Sequence, residues 1–240
     1  MRVLITGSTS GIGKELACSY AKSGHEVIAC GRRESKLKLL TQQYPSISTL
    51  CFDLVNYDAY PALEDNAAPL DVVILNAGDC EYMDNVVDFD AKMFERVMNI
   101  NVISIGYCLQ AWLKHIKPGG RVVLISSSAG QLPLPRAEAY GASKAALTYL
   151  GKTLTISLCP RNINVTVVHP GFVETPLTDK NTFPMPMLIS SKEAAERIIT
   201  GIDNGDRDIS FPSVFILVIK MLRCLPSLIW NRIAIRMVSE

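Results

Sequence analysis

Short apolar runs alternate with amphipathic stretches along most of this chain. Residues 3–5, 26–30, 49–52, 71–75, 121–125 and 164–168 are brief runs, rich in valine and isoleucine and bounded by polar or turn residues. Unbroken apolar runs of this length predict strands buried on both faces. Between them, residues 12–23, 34–43, 91–115, 139–158 and 191–203 carry apolar positions at helical spacing. That alternation predicts βαβ units, hence an α/β fold with a parallel sheet and helices on both faces. Pro69, Pro118-Gly119-Gly120, Pro160 and Pro170-Gly171 punctuate elements, and no repeat or low-complexity linker divides the chain. A length of 240 residues fits one such domain.

The pattern changes near residue 211. Val214-Phe215-Ile216-Leu217-Val218-Ile219, Met221-Leu222 and Leu228-Ile229-Trp230 are strongly apolar, but Lys220, Arg223 and Pro226 interrupt them. A spanning helix needs about 20 mostly apolar residues, so this is a poor membrane span. The bases Lys220, Arg223, Arg232 and Arg236 face a single acid, Glu240. Residues 211–240 therefore read as a basic, apolar extension of a 1–210 domain rather than a domain of their own. It either covers a substrate pocket or subunit interface, or makes peripheral contact with a membrane surface.

Charge adds a constraint. Lys plus Arg number 24 against 23 Asp plus Glu, which argues against nucleic acid as a partner. The seven cysteines show no CxxC spacing and sit mostly in apolar patterns. They predict no disulfide framework and no metal site, and favour a reducing, cytoplasmic setting. The opening strand lacks the basic and apolar regions of a secretory signal.

Chemistry enters through three motifs. Gly7-Ser8-Thr9-Ser10-Gly11-Ile12-Gly13 joins the first strand to the first helix. Glycines there let a pyrophosphate approach the backbone, and the helix start offers N–H groups and positive dipole. The next strand ends Gly31-Arg32-Arg33, where an NAD site would carry a carboxylate for the ribose 2′-hydroxyl. Two guanidiniums suit a 2′-phosphate instead, so NADP(H) is favoured over NAD(H). Alternatively, the arginines merely start a solvated helix. Finally, Tyr140 and Lys144 share a helix face, with Ser127 thirteen residues before the tyrosine. An ammonium beside a phenol lowers its pKa towards the working pH, where it can exchange a proton with a carbonyl or alcohol.

Taken in order, these pieces resemble the short-chain dehydrogenase/reductase family in its compact single-domain branch. The glycine turn, Asp53-Leu54, Asn76-Ala77-Gly78, Asn101, Ser127-Ser128-Ala129-Gly130, Tyr140-Gly141-Ala142-Ser143-Lys144 and Pro170-Gly171-Phe172-Val173-Glu174-Thr175 follow the family's sequence along residues 3–177. The resemblance implies a Rossmann-type, doubly wound, seven-stranded, mostly parallel sheet. It implies hydride transfer between NADP(H) and a carbonyl or secondary alcohol. Tyr140 would be the acid/base, Lys144 would bond the nicotinamide ribose and tune the phenol, and Ser127, in preference to Ser126 and Ser128, would hold the substrate oxygen. Asn101 would hold a water relaying protons through Lys144. Gly7, Ser8, Ser10, Gly11, Ile12 and Gly13 would cradle the pyrophosphate. Asp53 and Leu54 would meet the adenine, and Asn76, Ala77 and Gly78 its ribose. Pro170, Gly171, Val173 and Thr175 would line the nicotinamide. In isolation Asp53 could as well cap a helix, and Asn76 and Asn101 could satisfy buried backbone groups. The histidines receive no role. Residues 178–192 read as a lid, with Phe183 and Met187 offering an adaptable surface to a hydrophobic substrate. A homodimer or homotetramer is expected through the helices around 102–115 and 143–158. The rival reading is a non-catalytic NADP(H) sensor on the same fold.

Overall fold

The computed structural model describes residues 1–181 and 183–237. Thr182 of the expected lid and residues 238–240 of the extension lie outside the described residues. The chain runs β1 (Arg2–Thr6), α1 (Gly11–Lys22), β2 (Glu26–Gly31), α2 (Glu34–Gln43), β3 (Ile47–Cys51) and β4 (Leu70–Leu75). Next come α3 (Ala91–Met98), a π-helical turn (Asn99–Ile103), α4 (Ser104–Trp112), β5 (Ile116–Ile125), α5 (Glu138–Ser157) and β6 (Asn164–Pro170). The last elements are β7 (Val173–Glu174), β8 (Ile189–Ser190), α6 (Ser191–Asp203), β9 (Asp208–Phe211), α7 (Ser213–Arg223) and α8 (Ser227–Arg236).

Seven strands form one sheet in the order β3-β2-β1-β4-β5-β6-β9, and every ladder in it is parallel. This is the expected Rossmann-type sheet. Side chains alternate across it. Val3 and Ile5 pack to one side with Leu16, Ala17 and Ile198, whereas Leu4 packs to the other with Ile105, Trp112 and Leu147. Both faces of the inner strands are covered by helices, which is why they read as apolar runs; edge strand β3 spans Ile47–Cys51 rather than 49–52 and, contrary to expectation, is mostly exposed. The strand order reverses between β1 and β4, and the crevice beyond their carboxyl ends is where such sheets take ligands.

Three further features depart from the sequence reading. β9 was not anticipated, because Asp208-Ile209-Ser210-Phe211 holds just two apolar residues and makes no run; it is fixed by pairing Val168 with Ile209 and Pro170 with Phe211. The strand therefore includes Phe211, one residue past the expected 1–210 boundary. The helical stretch 91–115 is interrupted by the π-helical turn. β5 reaches back through Pro118-Gly119-Gly120 to Ile116.

The extension folds onto the domain. Leu132, Ile219 and Trp230 form a buried cluster that Leu134, Phe215, Leu222 and Ala234 flank. The Trp230 Nε1–H donates to the Pro133 carbonyl at 3.0 Å. Among the described residues, no helix is long and apolar enough to cross a membrane.

Candidate active site

The glycine turn is built by steric exclusion. Gly7 and Gly11 have φ of 71° and 53°, a region that favours glycine. A Cβ on Gly7 would lie 2.9 Å from Ala77 Cα, and one on Gly11 3.0 Å from Thr175 Cγ2. Beside the turn, Thr6 Oγ1 accepts the N–H groups of Asn76 at 3.0 Å and Ala77 at 3.1 Å. Asn76 Nδ2 donates to the Thr6 carbonyl at 3.0 Å, so its side chain staples β4 to β1. No acidic residue stands in the first turn of α1, and the Ser10 side chain makes no cap bond there. The N–H groups of that turn are thus available to an anion.

A cleft of about 460 Å³ opens from this turn across the sheet's carboxyl edge. Gly7, Ser10, Gly11, Ile12, Arg32, Arg33, Asp53, Leu54, Asn76, Ala77 and Gly78 line one part of it. Ser127, Tyr140, Lys144, Pro170, Gly171, Val173 and Thr175 line the other. Five expected residues, Ser8, Gly13, Asn101, Phe183 and Met187, do not line it. Ser8 is buried and donates its hydroxyl to the Ile5 carbonyl at 2.8 Å. Gly13 is a packing glycine, since a side chain there would collide with Gly7 and Asn76. Asn101 is buried behind the cleft wall, and Met187 is exposed away from it. Arg32 Nη1 lies 3.6 Å from Asp53 Oδ2, and that carboxylate also accepts the Val55 N–H at 3.1 Å. The side-chain-free turn and the unpaired N–H groups of α1 fit the pyrophosphate of a dinucleotide.

At the other end, Tyr140 and Lys144 rise from the first turns of α5. Lys144 is 4% exposed. Its Nζ donates to the Ile125 carbonyl at 2.9 Å and lies 5.7 Å from the Tyr140 ring centroid. Burial pulls the ammonium down to about 8, with Cys80 opposing. Burial pushes the Tyr140 phenol above the ordinary tyrosine range; Cys80 adds to this and a hydrogen bond with Ser127 opposes it. Burial, which raises the phenol, also weakens the ammonium expected to lower it. A phenol held protonated is suited to give a proton. Ser127 Oγ accepts the Ala129 N–H at 3.1 Å and points to Tyr140, whereas Ser126 Oγ is occupied by the Lys144 carbonyl at 2.9 Å and Thr148 at 2.8 Å.

Asn101 lies in the π-helical turn. Its Oδ1 accepts the Asp79 N–H at 2.8 Å, and its Nδ2 donates to the Asp79 carbonyl and Ser143 Oγ, each at 2.9 Å. The Asn101 side chain is thus fully engaged by protein groups. Gly78 lies between it and Lys144: a Cβ there would sit 3.0 Å from Asn101 Oδ1 and 3.4 Å from Lys144 Nζ.

A sequence profile described as short chain dehydrogenase matches residues 1–184. The chain belongs to the short chain dehydrogenase family. Members of this family are oxidoreductases of hydroxyl and carbonyl groups that work with a nicotinamide dinucleotide. The chain is 33% identical over 247 residues to an uncharacterized oxidoreductase of Myxococcus xanthus, covering 98% of this chain and 96% of the relative. It is 31% identical over 227 residues to 11-beta-hydroxysteroid dehydrogenase-like 3 of Arabidopsis thaliana, covering 88% and 73%. A short-chain dehydrogenase from Sphingobium yanoikuyae in complex with NADPH superposes with a TM-score of 0.78 at 24% identity, covering 88% of each chain; at that identity the likeness concerns the fold.

Several residues of this short-chain dehydrogenase surround the site without a local sequence signal. Tyr82 lies 6.4 Å from Tyr140 between ring centroids, and Phe183 packs edge-on to Tyr82 at 5.1 Å. Phe172 follows at 6.1 Å from Phe183, and Phe215 of α7 at 5.6 Å from Phe172. Phe183 thus belongs to a file of rings leading out from Tyr140, although it does not line the cleft itself. Phe215 also closes on the cleft wall, 2.9 Å from where a Gly171 Cβ would stand. Buried Cys80 has its thiol pushed up to about 11 by burial. His169, given no role above, is buried behind Ser127, with Nδ1 3.5 Å from the Ser127 carbonyl and Nε2 3.5 Å from Asp208.

Proposed function

We propose that this chain is an NADP(H)-dependent oxidoreductase that interconverts a hydrophobic carbonyl compound and its secondary alcohol. The observation that carries the proposal is one cleft lined both by Ser127, Tyr140 and Lys144 and by Arg32 and Arg33. The bound cofactor supplies or accepts the hydride. Ser127 and Tyr140 hold the substrate oxygen, stabilising the charge that develops there. Tyr140 gives that oxygen its proton in reduction and takes one back in oxidation. Lys144 orients the nicotinamide ribose, and Asn101 fixes the Asp79 backbone and Ser143 beside it. Ser10, Gly11, Ile12 and Gly7 hold the pyrophosphate, with Ser8 and Gly13 shaping the turn. Asp53, Leu54, Asn76, Ala77 and Gly78 surround the adenosine, while Pro170, Gly171, Val173 and Thr175 back the nicotinamide.

Preference for NADP(H) is supported by Arg32 and Arg33 and by Gly31, where a Cβ would stand 2.6 Å from Thr9 Cγ2. A hydrophobic substrate is supported by the Tyr82, Phe183 and Phe172 rings beside Tyr140. Met187 acts at most at the rim. Free cysteines throughout the chain support a cytoplasmic setting. Exposed Tyr149 and Ile156 on α5 support a homodimer or homotetramer.

The test is fluorescence titration with NADPH and NADH, followed by a panel of ketones and aldehydes of increasing apolar size. Tighter NADPH binding and NADPH oxidation favouring the larger apolar ketones are expected. Tight nucleotide binding with no turnover across the panel would leave a sensor in place of an enzyme.

A further inference from the structure

We infer that α7 and α8 dock this protein onto an anionic lipid surface, next to the file of rings that leads to Tyr140. α7 has two apolar faces. Ile216 and Ile219 point inward and are buried, while Val214, Leu217, Val218 and Met221 form an exposed stripe at i, i+3, i+4 and i+7. In α8, Trp230 anchors the helix to Pro133, and Leu228, Ile229 and Ile233 remain exposed. The exposed apolar side chains share these helices with the exposed bases Lys220, Arg223, Arg232 and Arg236. No carboxylate occurs from residue 209 to residue 237. An apolar stripe bordered by cations is the composition of a helix lying in a lipid headgroup layer.

Charge selects lipid over a second copy. Two such faces meeting would set cation against cation, with Asp208, which interacts with Lys220, offsetting just one of the four on each face, which disfavours the contact. Length selects lying over spanning: α7 has 11 residues, about 16 Å, against a hydrocarbon core of about 30 Å. The surface also adjoins the site. Phe215 is on α7, touches Phe172, and begins the file that passes Phe183 and Tyr82 to Tyr140. That last link rests on the proposed oxidoreductase reading; the docking surface does not.

Binding is read without turnover. The full chain is co-sedimented with vesicles of phosphatidylcholine alone and of phosphatidylcholine with phosphatidylglycerol, at low and high salt. Binding to the anionic vesicles is expected, weakened by salt. Lys220→Gln with Arg223→Gln should weaken it about 25-fold, at about fivefold per surface cation. Leu217→Glu with Met221→Glu should abolish it. All variants should keep the wild-type unfolding midpoint and mass, which excludes misfolding. Wild-type protein left in the supernatant with anionic vesicles at low salt overturns the inference. So does wild-type pelleting by either double variant, or a halved solution mass in Leu217→Glu with Met221→Glu, which would make a second copy the occupant.

Discussion

Removing the Arg32 guanidinium tests the reading of the cofactor end most sharply. The Arg32 side chain is 65% exposed and lies 3.6 Å from the Asp53 carboxylate. A hydrogen bond to a charged group contributes about 1.5–3 kcal/mol. Drawing Arg32 towards a 2′-phosphate forfeits an exposed ion pair of at most about 1 kcal/mol. The net is about 1–2 kcal/mol, so Arg32→Ala should lower kcat/KM for NADPH about 5- to 30-fold. NADH has no 2′-phosphate and should change by less than about twofold on the same argument. Arg33 is adjacent and would share one phosphate, so the double variant should lose less than the product of the single losses. Asp53→Asn removes the competing carboxylate and should keep or strengthen the NADPH preference. Initial rates with both cofactors and one ketone decide the matter. Equal losses for NADPH and NADH, or none for either, would refute the assignment of these arginines.

Three further predictions concern the parts around the reaction centre. Lys144 titrates near 8, below an ordinary lysine, so between about pH 8 and 10 the unfolded chain holds a proton that the folded chain has released, and stability from this group rises with pH. Relative to Lys144→Met, the wild type should gain about 2 kcal/mol from pH 8 to pH 10 in urea unfolding; an unchanged difference would contradict the buried ammonium. Asn101→Ala should cost about 2–4 kcal/mol, because the Asp79 N–H and carbonyl lose their partners in the interior, and unchanged urea stability would show that these bonds do not hold the turn together. Trp230→Ala should cost about 3–5 kcal/mol, since a 6% exposed indole leaves both a cavity and the Pro133 carbonyl behind; a loss below about 1 kcal/mol would mean that α8 contributes little to the fold.

The residues that declare themselves in the sequence do so through local backbone demands. Gly7 and Gly11 are legible because positive φ and close approach exclude side chains. Tyr140 and Lys144 are legible because helical spacing puts them on one face, and β1, β2, β4, β5 and β6 because strands buried on both faces leave apolar runs; β3, at the sheet edge, is mostly exposed and has no such run. What escapes is set by tertiary contact. β9 has no pattern of its own and is a strand because β6 offers an edge. Tyr82, Phe172 and Phe215 are far apart in sequence and meet through the fold. The surroundings of Tyr140 escape for the same reason: spacing brings an ammonium near, but does not report the burial that pushes the phenol up. His169 likewise gains its place behind Ser127 from the pairing of β6 with β5 and β9.

Everything in the mechanism converges on the Tyr140 hydroxyl, so Tyr140→Phe is the most direct trial. NADPH affinity, read by fluorescence titration, should stay within about twofold, because the ring and its packing remain. Turnover with the best ketone should fall about 100-fold or more, the scale of a lost proton donor. Near-normal turnover in that variant would contradict the account, as would a collapse of NADPH binding, which would make the phenol a cofactor ligand rather than the source of the proton.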